Sequence, residues 1–412
     1  MLTKLLKIIT FNFKKKHHII KKSSKRFIDH IDISNNALNV VKKLHKAGFD
    51  AYFVGGCVRD LLLNLYPKDF DIATNAFPEE INKLFSNSRL IGRRFRLVHV
   101  YFGKEIIEVA TFRGQIKHHN ENKTGMILHD NFYGTLEEDA WRRDVTINAL
   151  YYDIKKQLFI DYVGGLKDLD DKVIRIIGNA EKRYHEDPVR MLRVLRLTAK
   201  LGFELDSEAA KPIAALAGLL QNIPTARIFD EMLKWFSSGS SFRVFELFRQ
   251  YGLFAILFPQ TEATFTSNNS TTSFALLSQG LINTDIRIAE GKPLNPAFLF
   301  AVLLWWPLQK KIEQYKKNGH KIFPAIYLAS KLVIHEQTKH MVIPHYLASI
   351  IKDIFMLQFR FLYGNSDKRI NMLLKHRRFK IAYDFLLLRA QAEEDVQKLA
   401  DKWTMSYTKT MV

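Results

Sequence analysis

Gly55-Gly56-Cys57-Val58-Arg59-Asp60, followed shortly by Asp69-Phe70-Asp71, is the stretch on which the reading of this chain turns. Residues 51–54 (Ala-Tyr-Phe-Val) read as a short apolar strand and 58–65 as the start of a helix. The Gly-Gly pair between them lets the backbone turn tightly and approach a ligand closely. A helix N-terminus there offers free N–H groups to a phosphate. In the strand read over 69–74, side chains alternate, so Phe70 and Ile72 face one way and Asp69 and Asp71 the other. Two carboxylates so close call for a cation, and oxygen ligands suit magnesium. Phosphates plus two metal ions mean phosphoryl or nucleotidyl transfer.

Taken alone, the glycine turn is weak evidence and Asp-x-Asp weaker; their order and spacing make the signal. Gly-Gly-x-Val-Arg-Asp followed by Asp-x-Asp resembles the head of the class II nucleotidyltransferases, relatives of DNA polymerase β. That family holds the CCA-adding tRNA nucleotidyltransferases and the bacterial poly(A) polymerases. The resemblance implies an α+β chain: a polymerase β-like mixed-sheet head followed by an all-helical neck and body.

Composition agrees with a polyanionic partner. The chain has 412 residues, a formal net charge of +20 and 47% hydrophobic residues, with a pI near 9.7. That is a globular composition, long enough for two or three domains, and so basic a surface is rewarded by counterion release from nucleic acid. One cysteine, Cys57, excludes an intramolecular disulfide and suits a reducing cytoplasm; in the glycine turn it reads as inert filler. The longest apolar run, Ala297 to Trp306, is closed by Pro307 and is too short to span a bilayer, so it reads as a buried core helix. The first 28 residues hold no acid and carry Lys14-Lys15-Lys16 and Lys21-Lys22. They read as an RNA-binding arm, a peripheral membrane contact on anionic lipid, or simply a solvated tail.

Four segments are expected: a disordered basic arm (1–30), the catalytic head (31–177), a helical neck (178–240) and a helical RNA-binding body (241–412). In the head, Ser34 to Gly48 reads as a capped helix, a further helix starts at Pro78, and 97–102 with 105–112 read as a hairpin. The polar stretch 115–125 reads as a mobile loop. Glu108 stands in an apolar strand, where a carboxylate is costly unless paired or metal-bound.

Asp69 and Asp71 are the expected metal-binding and catalytic pair, with Glu108 as third carboxylate; the bland alternatives are solvent-facing aspartates and a salt-bridged glutamate. Gly55, Gly56 and Arg59 would hold the triphosphate, arginine supplying a planar fork suited to phosphate. Arg142-Arg143-Asp144 resembles the family's ribose-contacting motif. Read as a basic pair at a helix start, it opposes the helix dipole, and that conflict points to function. Asp161 to Asp168, with its Gly-Gly, matches the family's flexible hinge.

Glu186-Asp187-Pro188-Val189-Arg190 matches the family's base-recognition motif, in which the residues at Asp187 and Arg190 read the edge of the incoming nucleotide. An ordinary helix N-cap followed by proline is the structural alternative. Arg190, Arg193 and Arg196, three apart on a helix with no acidic partner, favour a nucleotide or phosphate. Ile223-Pro224 with Arg227 and Glu231 resembles a bracing segment of the neck.

Residues 90–100 (Leu-Ile-Gly-Arg-Arg-Phe-Arg-Leu-Val-His-Val), Leu357 to Phe361 and Arg378 to Arg389 resemble the poly(A) polymerase branch rather than the CCA-adding one. That branch implies a cytoplasmic enzyme using ATP and two Mg2+ to extend RNA 3′ ends, and assisted by RNA-decay proteins. The rivals are a CCA-adding enzyme and an RNA-binding protein without catalysis. Two departures from the family, an end soon after Trp403 and His129 where arginine is common, are expected to weaken RNA affinity.

Overall fold

The computed structural model describes residues 33–92, 96–114, 132–266, 270–364, 366–392 and 394–409. The basic arm, Arg93 to Phe95, the 115–125 loop, and His129 with Asp130-Asn131 therefore lie outside the described residues. The chain divides into two compact units between Gly178 and Asn179.

The first unit is built on a seven-stranded sheet of order β3-β4-β5-β2-β1-β6-β7. Its strands are β1 (Ala51–Val54), β2 (Asp71–Thr74), β3 (Ser88–Ile91), β4 (Leu97–Phe102), β5 (Glu105–Thr111), β6 (Leu150–Asp153) and β7 (Leu158–Asp161). Only β2 and β5 run parallel, and all other neighbours are antiparallel, so the sheet is mixed. Helices α1 (Asn35–Lys46), α2 (Gly56–Leu62), α3 (Pro78–Leu84), α4 (Leu136–Arg142) and α5 (Gly165–Asp170) accompany it. Ser34 caps α1 by accepting from the Ala37 N–H at 3.4 Å, and buries Leu38, Val41 and Leu44 behind it. The capped helix, the Pro78 helix and the 97–111 hairpin thus form as their local signals require.

Two local readings differ. The strand begins at Asp71 rather than Asp69, because its ladder with β1 and β5 starts only at Asp71 and Ile72. Helix α2 begins directly at Gly56, with Gly55 as its N-cap at φ 77°.

Among its described residues the second unit has helices as its regular elements, apart from a two-residue strand, Glu204–Leu205. Helices α6 (Ala180–Glu186) and α7 (Val189–Leu201) lead into longer ones. An aromatic core forms where Trp235 packs on Phe236, Phe248, Phe254 and Phe258, and another where Trp403 meets Phe361 and Phe379. The apolar run 297–306 is buried as expected, but Pro307 does not end it. The helix runs through proline from Pro296 to Lys317. Proline lacks the N–H that would bond the Leu303 carbonyl; the Thr261 hydroxyl donates to that oxygen instead, at 2.7 Å. Among the described residues no helix is long and apolar enough to cross a membrane.

Candidate active site

The parallel pairing of β2 and β5 places Asp71 directly opposite Glu108. In a parallel ladder, partners in register point to the same face, so the two carboxylates share one side of the sheet. Asp69 stands just before the strand, exposed, with buried Phe70 between the two aspartates. Burial, and then the charge of Glu108, push the Asp71 carboxyl up to about 7; Arg143 opposes this and Asp69 adds to it. The site is thus an accumulation of negative charge.

Glu108 is not the buried carboxylate the strand composition implies. Ile107, Val109 and Thr111 take the covered face of β5, leaving Glu108 half exposed and 3.2 Å from His99 Nε2. Its placement costs little, and its link to a metal rests on its register with Asp71. All three side chains offer only carboxylate oxygen, a donor set suited to a hard divalent cation. Among the described residues, no three His, Cys, Asp or Glu groups close around a metal position.

A cavity of about 160 Å³ opens beside this pair, lined by Asp71, Glu108, Arg113, Asp139 and Arg143 among others. The glycine turn adjoins it: a Cβ on Gly55 would lie 3.3 Å from Arg143 Nη1. With φ 77° as well, position 55 takes glycine for conformation and for room. Cys57 behind the turn is buried, and burial pushes its thiol up to about 12, which disfavours the thiolate.

Arg59 is held differently from a triphosphate ligand. It is buried, donating through Nε to Asp60 Oδ1 at 2.8 Å and through Nη1 to Asn148 Oδ1 at 2.6 Å. Arg142 is buried too, its Nη1 2.5 Å from the Gly114 carbonyl oxygen. These two guanidinium groups brace the turn and Gly114, and the arginines that line the cavity are Arg113 and Arg143.

The Arg-Arg pair does not open a helix. Thr135 and Glu138 form a capping box that starts α4, and Arg142 and Arg143 are its last residue and C-cap. Cations are favoured there, so the conflict with the dipole disappears. Asp144 follows, half-buried. Sequence reading missed Asp139, one turn before Arg143. It is buried and accepts from Arg143 Nε and Nη2 at 3.1 and 3.0 Å, Arg113 Nε at 3.2 Å and the Tyr151 hydroxyl at 2.5 Å. Burial works to raise its carboxyl, but Arg143, Arg113 and these hydrogen bonds hold it at about 2. The i,i+4 spacing of Asp139 and Arg143 was the available signal; nothing local announced Arg113.

The Gly-Gly of the expected hinge is a packed turn. The Asp161 carboxylate accepts from four successive N–H groups, Val163 to Leu166, at 2.9–3.0 Å. A Cβ on Gly165 would lie 2.2 Å from the Thr146 carbonyl oxygen. Close approach of backbone therefore accounts for that glycine without motion.

In the second unit, the expectation that Arg190, Arg193 and Arg196 lack acidic partners is overturned. Arg190 Nη1 lies 3.2 Å from Glu186 Oε2 and donates to the Arg183 carbonyl at 2.8 Å. Arg193 Nε donates to buried Glu231 at 3.0 Å, and Arg196 lies 3.9 Å from the same carboxylate. The partner was invisible because the helix Thr225–Phe236 supplies it from far along the chain. Asp187 is not an N-cap: it ends α6, and both its oxygens accept from Arg227, at 2.8 and 2.5 Å. Burial opposes ionisation of Asp187, yet Arg227, Arg190 and Arg193 hold its carboxyl below the ordinary range. Arg227 thus braces the end of α6, and Glu231 the charged face of α7.

Three family models match in chain order: Poly A polymerase head domain at 51–175, probable RNA and SrmB-binding site of polymerase A at 202–265, and polymerase A arginine-rich C-terminus at 318–410. Poly(A) polymerase I of Salmonella typhi is 46% identical over 397 residues, 94% of this chain and 85% of its own. A CCA-adding enzyme of Lactobacillus helveticus is 40% identical over only 53% of this chain and 53% of its own. Among solved structures, the Bacillus stearothermophilus CCA-adding enzyme in complex with CTP matches with TM-score 0.61 at 25% identity, covering 91% of this chain and 82% of that one. The carboxylate pair, the glycine turn and these full-length similarities together make the chain a member of the poly(A) polymerase I family of class II nucleotidyltransferases.

Proposed function

We propose that the chain is a template-independent polynucleotide adenylyltransferase, transferring AMP from ATP to RNA 3′ ends with release of pyrophosphate. The observation that carries the reaction is the in-register pair Asp71 and Glu108 beside the Gly55 turn, with Arg143 in the same cavity. The RNA 3′-hydroxyl gives up its proton to solvent as its oxygen bonds to the α-phosphorus, the bond from that phosphorus to the bridging oxygen breaks, and pyrophosphate leaves with the electron pair. Asp69 and Asp71, with Glu108 alongside, would hold two magnesium ions, which when bound activate the hydroxyl and stabilise the leaving group. Arg143 carries the positive charge that meets the nucleotide at the cavity wall, held in place by Asp139 and Tyr151. Asp187 and Arg190 would read the base, with Arg227 orienting the Asp187 carboxylate.

Similarity to poly(A) polymerase I runs along nearly the whole chain, whereas the CCA-adding relative matches about half. That difference supports adenylate addition, and tagging of RNA for decay as its role. The head shared with CCA-adding enzymes keeps their activity as a second reading. Extension assays decide between them, using unstructured RNA and a tRNA lacking its CCA end with ATP, CTP or both. A ladder on both RNAs from ATP alone is expected. Addition of CTP and then ATP, confined to tRNA, would overturn the adenylyltransferase.

A further inference from the structure

Three of the exposed aromatic rings in the second unit lie on or against one helix, while Phe274 and Tyr346 are exposed elsewhere. On the helix Ile322–Thr338, Phe323, Tyr327, Lys331 and His335 recur every fourth residue and all are exposed, while Ala325, Ile326, Ala329 and Val333 face the core. Phe323 and Tyr327 are 39% and 58% exposed. Tyr363, 47% exposed, sets its ring 5.7 Å from that of Phe323, and its carbonyl accepts from Arg369 at 3.4 Å. The surrounding charge is basic: Lys316, Lys317, Lys321 and Lys331 are exposed, and no acid occurs from 314 to 335. Asp367, Lys368 and Arg369 follow Tyr363 in sequence, all exposed, and Arg369 reaches the Tyr363 carbonyl.

Rings left in water beside cations of one sign are poorly explained by core packing. Every base has a π-face that stacks on such rings, while its phosphates meet the lysines, and the combination tolerates any sequence. We infer that Phe323, Tyr327 and Tyr363 form a stacking platform for single-stranded RNA. This rests on the reading of the chain as an RNA-extending enzyme. The platform lies outside residues 202–265, where the RNA-binding family model matches. Its role is to retain the tail between additions, so it governs affinity for long RNA and not the chemical step.

The test compares the full-length protein with Phe323→Leu/Tyr327→Leu, which keeps an apolar surface and removes two of the three stacking faces. Fluorescence anisotropy with labelled oligoadenylates of about 5 and about 25 nucleotides is read beside addition of the first AMP to saturating short primer. Affinity for the long RNA is expected to fall about tenfold or more, with short-RNA affinity and first addition unchanged. Tyr327→Trp should retain affinity and have its fluorescence quenched by the long RNA. Unchanged long-RNA affinity in the double variant, or an equal loss for both lengths, overturns the platform. A changed oligomeric state with RNA affinity intact would instead make this face a contact between copies of the chain. If the unaltered protein extends no RNA, the proposed function fails, and the tryptophan signal still decides the platform separately.

Discussion

At the residue scale, Asp71 and Asp139 sit in one cavity with opposite electrostatics. Asp71 is raised to about 7 by burial and by Glu108, so its ionised form is disfavoured in the fold. A raised carboxyl gives stability that is present at low pH and is lost as pH climbs through about 7. Asp71→Asn should therefore abolish nucleotidyl transfer yet raise the thermal midpoint of metal-free protein at about pH 8, with less effect at about pH 5. Calorimetry at the two pH values checks the sign. Magnesium should also bind more weakly below about pH 7, as protons compete for Asp71; isothermal titration reads this. Asp139, held at about 2, behaves oppositely. Its contribution is full above the ordinary carboxylate range and lost as pH falls toward about 2. Because it anchors Arg143, Asp139→Asn should raise KM for ATP about tenfold with a smaller change in kcat, and Tyr151→Phe should raise it a few-fold by removing the hydroxyl that donates to Asp139 and accepts from Arg143 Nε. Equal losses in both parameters, with lowered stability, would mark Asp139 as structural only.

At the element scale, the proline in the helix Pro296–Lys317 is compensated from outside. Thr261 supplies the donor that Pro307 cannot. Thr261→Val should strand the buried Leu303 carbonyl at a cost of about 1–3 kcal/mol. In the background of Pro307→Ala, which restores a helical N–H, the same change should cost much less. A double-mutant cycle by chemical denaturation measures the coupling, and additivity would refute the link. The helix bearing Arg190, Arg193 and Arg196 shows the same logic with charge. Arg193 and Arg196 share Glu231, a carboxylate 3% exposed and kept below its ordinary range by Arg193 despite the opposing effect of burial, while Arg190 pairs with Glu186. Leaving those cations without a buried counter-charge should cost several kcal/mol, so Glu231→Leu is expected to unfold the second unit at lower denaturant.

At the scale of the whole molecule, the net charge of +20 sets the expectation for RNA. Affinity should fall steeply and linearly on a logarithmic salt scale as counterions are released. Filter binding across a salt series reads the slope; a flat response would remove phosphate contact from the account. The two compact units divide between Gly178 and Asn179, close to where strand signals fade in the sequence. The mixed sheet of the first and the helices of the second follow from patterning, since period-two and period-3.6 apolar runs cannot exchange roles.

Sequence alone determined what local chemistry can announce. The glycine turn, the Asp69 to Asp71 spacing, the capped helix before them and the hairpin bearing Glu108 all depend on neighbours a few residues away. The family resemblance rested on those same residues. Partners from far along the chain were decided only by tertiary structure. Glu231 answers Arg193, Arg227 takes Asp187, Arg113 and Tyr151 join Asp139, and Thr261 rescues the carbonyl freed by Pro307. Even the exposure of Glu108 depended on which face of β5 the sheet covers. A charge or an unpaired carbonyl demands satisfaction wherever it is buried, but a linear sequence does not say which distant group will arrive to provide it.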